Sequence, residues 1–138
     1  MPAWSWALKV NGGTASMDAG TGAIILDNPT TDLATSNLSL TGDTVTISGS
    51  VTIGGTLTVV SNSTATNLSI ANNLTAAGVN LTTGKTLVNT AAIDTSAANG
   101  TVTVRAAGIN LSGGSATAGA GTVNLFQKTP TQAINLGS

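Results

Sequence analysis

Val45-Thr46-Ile47-Ser48-Gly49-Ser50-Val51-Thr52-Ile53-Gly54-Gly55-Thr56-Leu57-Thr58-Val59 contains one short word three times: an aliphatic residue, a small polar residue, a second aliphatic residue. In extended backbone the first and third residues share one face and the middle residue points the other way. Each word is therefore a tiny strand with one apolar and one polar side. The Ser and Gly residues between the words supply turns. The word returns at Leu38-Ser39-Leu40, Leu68-Ser69-Ile70, Val79-Asn80-Leu81, Val102-Thr103-Val104, Ile109-Asn110-Leu111, Val123-Asn124-Leu125 and Ile134-Asn135-Leu136, ten copies in all. Their first letters are 7, 6, 6, 11, 11, 23, 7, 14 and 11 residues apart, which is no strict repeat code. Loosely periodic strands with glycine-rich corners predict a β-solenoid or β-prism.

Apolar bulk is scarce. Ile, Leu and Val total 31 of 138 residues, and Trp4, Trp6 and Phe126 are the only aromatics. A compact monomer of this size usually buries more. Two architectures need less. A narrow solenoid fills each coil with a handful of inward aliphatics and lets stacking do the rest; three intertwined chains pool their aliphatic faces on one axis. Thr, Ser, Asn and Gly occupy 68 positions, but disorder goes with low hydrophobicity and high net charge, and here the aliphatics are periodic. The expected fold is all-β: an elongated β-solenoid or triple-stranded β-helix-like fibre of many short strands with essentially no helix. Six to seven coils at ~4.8 Å would give a rod of roughly 30 Å.

Residues 1–35 differ from the rest. Trp4, Trp6, Leu8 and Val10 alternate with Ser5, Ala7 and Lys9, a period-two strand ended by Asn11-Gly12-Gly13. A second strand, Ala23-Ile24-Ile25-Leu26, stops at Asp27-Asn28-Pro29, because proline cannot donate to a ladder. This pair reads as an attachment or capping region, and residues 36–138 as the repetitive fibre. Trp4 and Trp6, with Leu8 and Val10, are the candidate interface residues: buried tryptophan dominates interface energetics, although the same side chains could simply cap the stack. The pairs Ala91-Ala92, Ala97-Ala98 and Ala106-Ala107 are expected at corners. Residues 115–122 are expected as a flexible loop or as tight packing between chains.

The inventory removes most chemistry. Without His, Cys, Tyr or Glu, no Ser-His-Asp or Cys-His arrangement can be built, and zinc loses its usual ligands. The five aspartates are scattered and suit turns better than calcium. Asn37, Asn62, Asn67, Asn73, Asn80, Asn99 and Asn110 each open an Asn-x-Ser/Thr triplet; these are glycosylation acceptors, products of composition, or stacked amide ladders. Gly12-Gly13, Gly54-Gly55 and Gly113-Gly114 lack a following Lys-Ser/Thr and read as turns rather than phosphate cradles. A net charge of −1 offers no electrostatic footprint for nucleic acid. No stretch approaches the ~18 apolar residues of a membrane span, and no basic n-region with an apolar run marks a signal peptide.

Residues 45–59, VTISGSVTIGGTLTV, resemble the shaft repeats of phage tail fibres, whose chains intertwine as trimers. Residues 99–137, NGTVTVRAAGINLSGGSATAGAGTVNLFQKTPTQAINLG, resemble the strand repeats of filamentous-haemagglutinin-type adhesins, which form β-helices. Both resemblances imply an elongated fibre used for attachment or spacing. The expectation is a non-enzymatic structural protein without cofactors, self-assembling as a homotrimer at a virion or cell surface. The alternative is a single-chain solenoid module of an adhesin or matrix filament that polymerises end to end. A carbohydrate-active enzyme or lectin is the reading from another class; two carboxylates could serve it, but few aromatics are present to hold sugar rings.

Overall fold

The computed structural model describes residues 12–27, 30–33, 36–128, 131 and 134–135. Strands follow one another around a three-sided coil. The first coil is β1 (Thr14–Asp18), β2 (Ala23–Leu26) and β3 (Thr30–Leu33), and the second is β4 (Asn37–Gly42), β5 (Thr44–Ile47) and β6 (Val51–Ile53). The third is β7 (Thr56–Ser61), β8 (Leu68–Ile70) and β9 (Leu74–Thr75); the fourth is β10 (Gly78–Thr83), β11 (Thr86–Asn89) and β12 (Ala92–Asp94). The fifth is β13 (Val102–Ala106), β14 (Gly108–Asn110) and β15 (Ser115–Thr117), after which β16 (Val123–Gln127) and β17 (Ile134–Asn135) extend the stack. Every third strand pairs, always in parallel, in three sheets: β1-β4-β7-β10-β13-β16, β2-β5-β8-β11-β14-β17 and β3-β6-β9-β12-β15. The protein is thus an all-β, single-chain β-solenoid of about five coils. Its one helical element among the described residues is a single 3₁₀ turn, Ser96–Ala98.

The irregular word spacing has a simple cause. Consecutive words are successive sides of one coil, and the next coil begins three sides later. Leu38, Leu57, Val79, Val102 and Val123 stand in register on one sheet, at steps of 19, 22, 23 and 21 residues. The stretch from Val45 to Val59 supplies β5 and β6 of the second coil and the opening of β7 in the third. Its six-residue step is therefore the distance around a corner, not between coils. The 23-residue gap hides β11 and β12, whose words are broken where Asn89 and Thr95 replace the second aliphatic. Five inter-coil steps at ~4.8 Å give a stack of about 24 Å, shorter than the six to seven coils expected from the word count.

Alternation decides what is inside. The column Leu40–Val59–Leu81–Val104 is at most 1% exposed, and the neighbouring Leu38–Leu57–Val79–Val102 column is equally dry. Burying each such side chain is worth about 1.5–3 kcal/mol, and every one has an apolar partner above and below, Ala15 and Met17 closing the lower end. Polar side chains enter only where they meet a bond partner. Asn89 occupies, fully buried, the place that Ile70 holds one coil earlier. Its amide donates to the carbonyls of Ala91 at 2.8 Å and Ser115 at 3.3 Å. Ser61 donates to the Asp43 carbonyl, and Thr95 to that of Gly100. Among the described residues no buried side-chain polar atom lacks a partner.

Corners are tight. Gly12 and Gly13 turn at φ +77° and +81°, as the Asn-Gly-Gly text requires. Gly100 sits so close to the coil below that a Cβ there would strike the Ala77 carbonyl oxygen. Ala97 and Ala98 do lie at a corner, but Ala92 and Ala106 are strand residues. The segment 115–122 is also more ordered than its composition suggests: Ser115–Thr117 pairs with β12, and Gly121 then donates to the Ala118 carbonyl at 2.8 Å. A three-residue strand needs no aliphatic word when a formed rung already offers its ladder.

Candidate functional surfaces

Because inward positions are filled by the chain's own aliphatics, recognition falls to the outward rows and the two ends of the stack. On the first sheet Ser16, Ser39, Thr58, Asn80, Thr103 and Asn124 form one outward row. A second row runs Asp18, Thr41, Val60, Thr82, Arg105, Phe126. The second sheet presents Ile25, Thr46, Ser69, Val88 and Asn110. The third presents Thr52, Thr75, Asp94 and Thr117. These rows are mostly hydroxyls and amides at one rung spacing, with few charges and with Ile25, Val60, Val88 and Phe126 as apolar members.

Two local devices stand out on this surface. The Arg105 guanidinium lies 4.3 Å from the centre of the Phe126 ring on the next rung, a cation–π stack on an exposed face. The Asp94 carboxylate accepts hydrogen bonds from the Ser96 side chain and backbone N–H, the latter at 2.8 Å, and these hold its pKa below the ordinary carboxylate value. That carboxylate fixes the backbone that enters the 3₁₀ turn.

Several asparagines have a role that the triplet pattern does not reveal. Asn37, Asn73 and Asn99 each accept, through the side-chain oxygen, a backbone N–H of the coil above: Thr56 at 2.8 Å, Ala92 at 3.1 Å and Ala120 at 2.8 Å. Asn37 also donates to the Thr14 hydroxyl of the coil below at 3.4 Å. These are brackets that clamp coil to coil, rather than amide ladders. The signal that finds them is the coil period: Asn37 and Asn73 lie 19 residues before their partners and Asn99 lies 21 before its own.

The candidate interface residues Trp4, Trp6, Leu8 and Val10 lie outside the described residues. Among the described residues, no three His, Cys, Asp or Glu side chains gather as a metal site, and no helix is long and apolar enough to cross a membrane. Compared with family models, with curated proteins and with solved structures, the chain matches none.

Proposed function

We propose that this chain is a non-enzymatic structural module: a rod segment serving as shaft, connector or adhesin spacer at the surface of a particle or cell. One observation carries the reading. Three parallel ladders run through all described coils over one continuous aliphatic interior. Such an object is stiff along its axis, since bending it opens ladder bonds and core contacts on one side at once. Its outward rows of Thr, Ser and Asn keep the sides soluble without charge. Since one chain closes its own interior, the single-chain solenoid reading is favoured over three intertwined chains, and association then adds length instead of completing a core.

Native mass spectrometry with limited proteolysis tests this. The reading expects a folded, protease-resistant monomer at high dilution. A trimer that persists to the dilution limit and unfolds on dissociation would support the intertwined shaft instead. Cleavage of a polysaccharide by the isolated chain would overturn both.

A further inference from the structure

The two ends of the described stack differ in charge and, among the described residues, are open. Among the described residues, β1, β2 and β3 at one end and β15, β16 and β17 at the other pair on one side only. An open ladder edge is a template for another strand. The core columns are unfinished there too. Leu40, Val59, Leu81 and Val104 are almost fully buried, whereas Met17 and Leu125, the two ends of that column, are only half-buried. In the neighbouring column exposure rises from 0% at Val102 to 37% at Val123.

Charge is sorted along the same axis. Residues 12–43 carry Asp18, Asp27, Asp32 and Asp43 and no cation; with Lys9 counted, residues 1–43 hold four acids and one base. Residues 85–128 carry Lys85, Arg105 and Lys128 against Asp94 alone. The ends stand about 24 Å apart, well beyond a screening length of about 8 Å, so they do not neutralise each other within one molecule.

We propose that the basic C-terminal end docks on the acidic N-terminal end of a second copy, continuing the two six-stranded parallel sheets, β16 onto β1 and β17 onto β2, in a fixed register. This rests on the rod reading above and gives it a direction. Extending the observed column order places Val123 beside Ala15 of the next copy, Asn124 beside its Ser16, Leu125 beside its Met17 and Phe126 beside its Asp18. Half-buried aliphatics at both ends then meet aliphatics. Arg105, stacked on Phe126, comes within two rungs of the incoming Asp18, and Lys128 falls two residues from it along the edge. Like ends repel and unlike ends attract. The contact is therefore heterologous and open, giving a polar filament rather than a closed dimer.

The chain has no cysteine, so paired thiols report the register directly. S16C and N124C, both at outward positions, are prepared as separate full-length chains, mixed and treated with a short bis-maleimide, which joins two thiols by adding each across a maleimide double bond. The mixture is expected to give a crosslinked dimer that neither variant gives alone. Sedimentation of D18K, of K128D and of the double variant supplies the second readout. Each single change should weaken association about two- to five-fold at low salt, with recovery in the double variant and little effect at high salt. Crosslinking of one variant with itself, charge changes that leave association untouched, or a strict monomer at all concentrations would overturn the proposal. Circular dichroism and proteolysis on the same samples separate the two readings: a stable β monomer that never associates leaves the rod standing, while loss of the β signal removes both.

Discussion

Truncating one side chain at two heights of the same column tests the stacked interior quantitatively. Leu57 is fully buried, between Leu38 below and Val79 above. Leu57→Ala leaves a void that the two flanking rungs cannot fill, because their ladder bonds fix the rung spacing. Such truncations cost about 2–5 kcal/mol, and a site held on both sides belongs in the middle of that range, about 3 kcal/mol. Unfolding entropy near 2.1 cal/mol/K per residue gives about 0.29 kcal/mol/K over this chain, so the midpoint should fall by roughly 10 °C. Val123 ends the same column at 37% exposure, and Val123→Ala should cost under about 1 kcal/mol, close to a surface change. Thermal and denaturant unfolding by circular dichroism, at dilutions where the chain is monomeric, measures both. Amide exchange should place the loosening caused by Leu57→Ala in the coils that flank it, since solenoid coupling is between neighbours. Equal losses at Leu57 and Val123, or a loss at Leu57 below about 1 kcal/mol, would refute a column-built core.

Other consequences are as direct. Gly100→Ala forces a methyl group against the Ala77 carbonyl and should destabilise by about 1–3 kcal/mol, read as a lower denaturation midpoint. Asn37→Ala removes the acceptor of the Thr56 N–H at a cost of about 1 kcal/mol; Asn37→Asp, which keeps an acceptor oxygen, should recover most of it. Asp94 has a depressed pKa because Ser96 bonds its ionised form. Its stabilising effect is therefore present above the ordinary carboxylate range and lost as pH falls through its lowered folded value. Melting curves of Asp94→Asn and the unaltered chain should differ at neutral pH and converge in acid.

How much of this could be read from residues alone varies with position. β4 to β8, β10 and β13 coincide with the aliphatic words, because an inward pair on a three-residue side leaves no other arrangement. β9, β11, β12 and β15 did not announce themselves. Their inward partners are Ala76, Asn89, Thr95 and Ala118 in place of a second aliphatic. Those positions close their sides next to a corner, and a small or hydrogen-bonding side chain there takes the place that Ile53 and Ile70 hold one coil below Ala76 and Asn89. Coil length was hidden for the same reason, since corners absorb one to four extra residues while sides stay in register. The brackets at Asn37, Asn73 and Asn99 became visible only with that length known. The end register between Phe126 and Asp18 follows in turn from columns that no local pattern contains.

A core made this way also explains why length is the property the chain can exploit. The interior columns of the first sheet are complete: Leu57, Val59, Val79 and Leu81 are each covered above and below by leucine or valine. The unfavourable exposure is confined to two ends, and it does not grow as coils are added. Each further coil contributes a full set of buried pairs and ladder bonds against the ordering entropy of about twenty residues, with no new end to expose. Lateral growth offers less, because the outward rows are mostly hydroxyls and amides that water satisfies as well as a neighbour would, and their apolar members Ile25, Val60, Val88 and Phe126 are scattered. Addition along the axis is thus the mode of association this fold rewards. Opposite charge at the two ends selects one polarity for it, since a head-to-head contact would set Asp18 and its neighbours against their own copies.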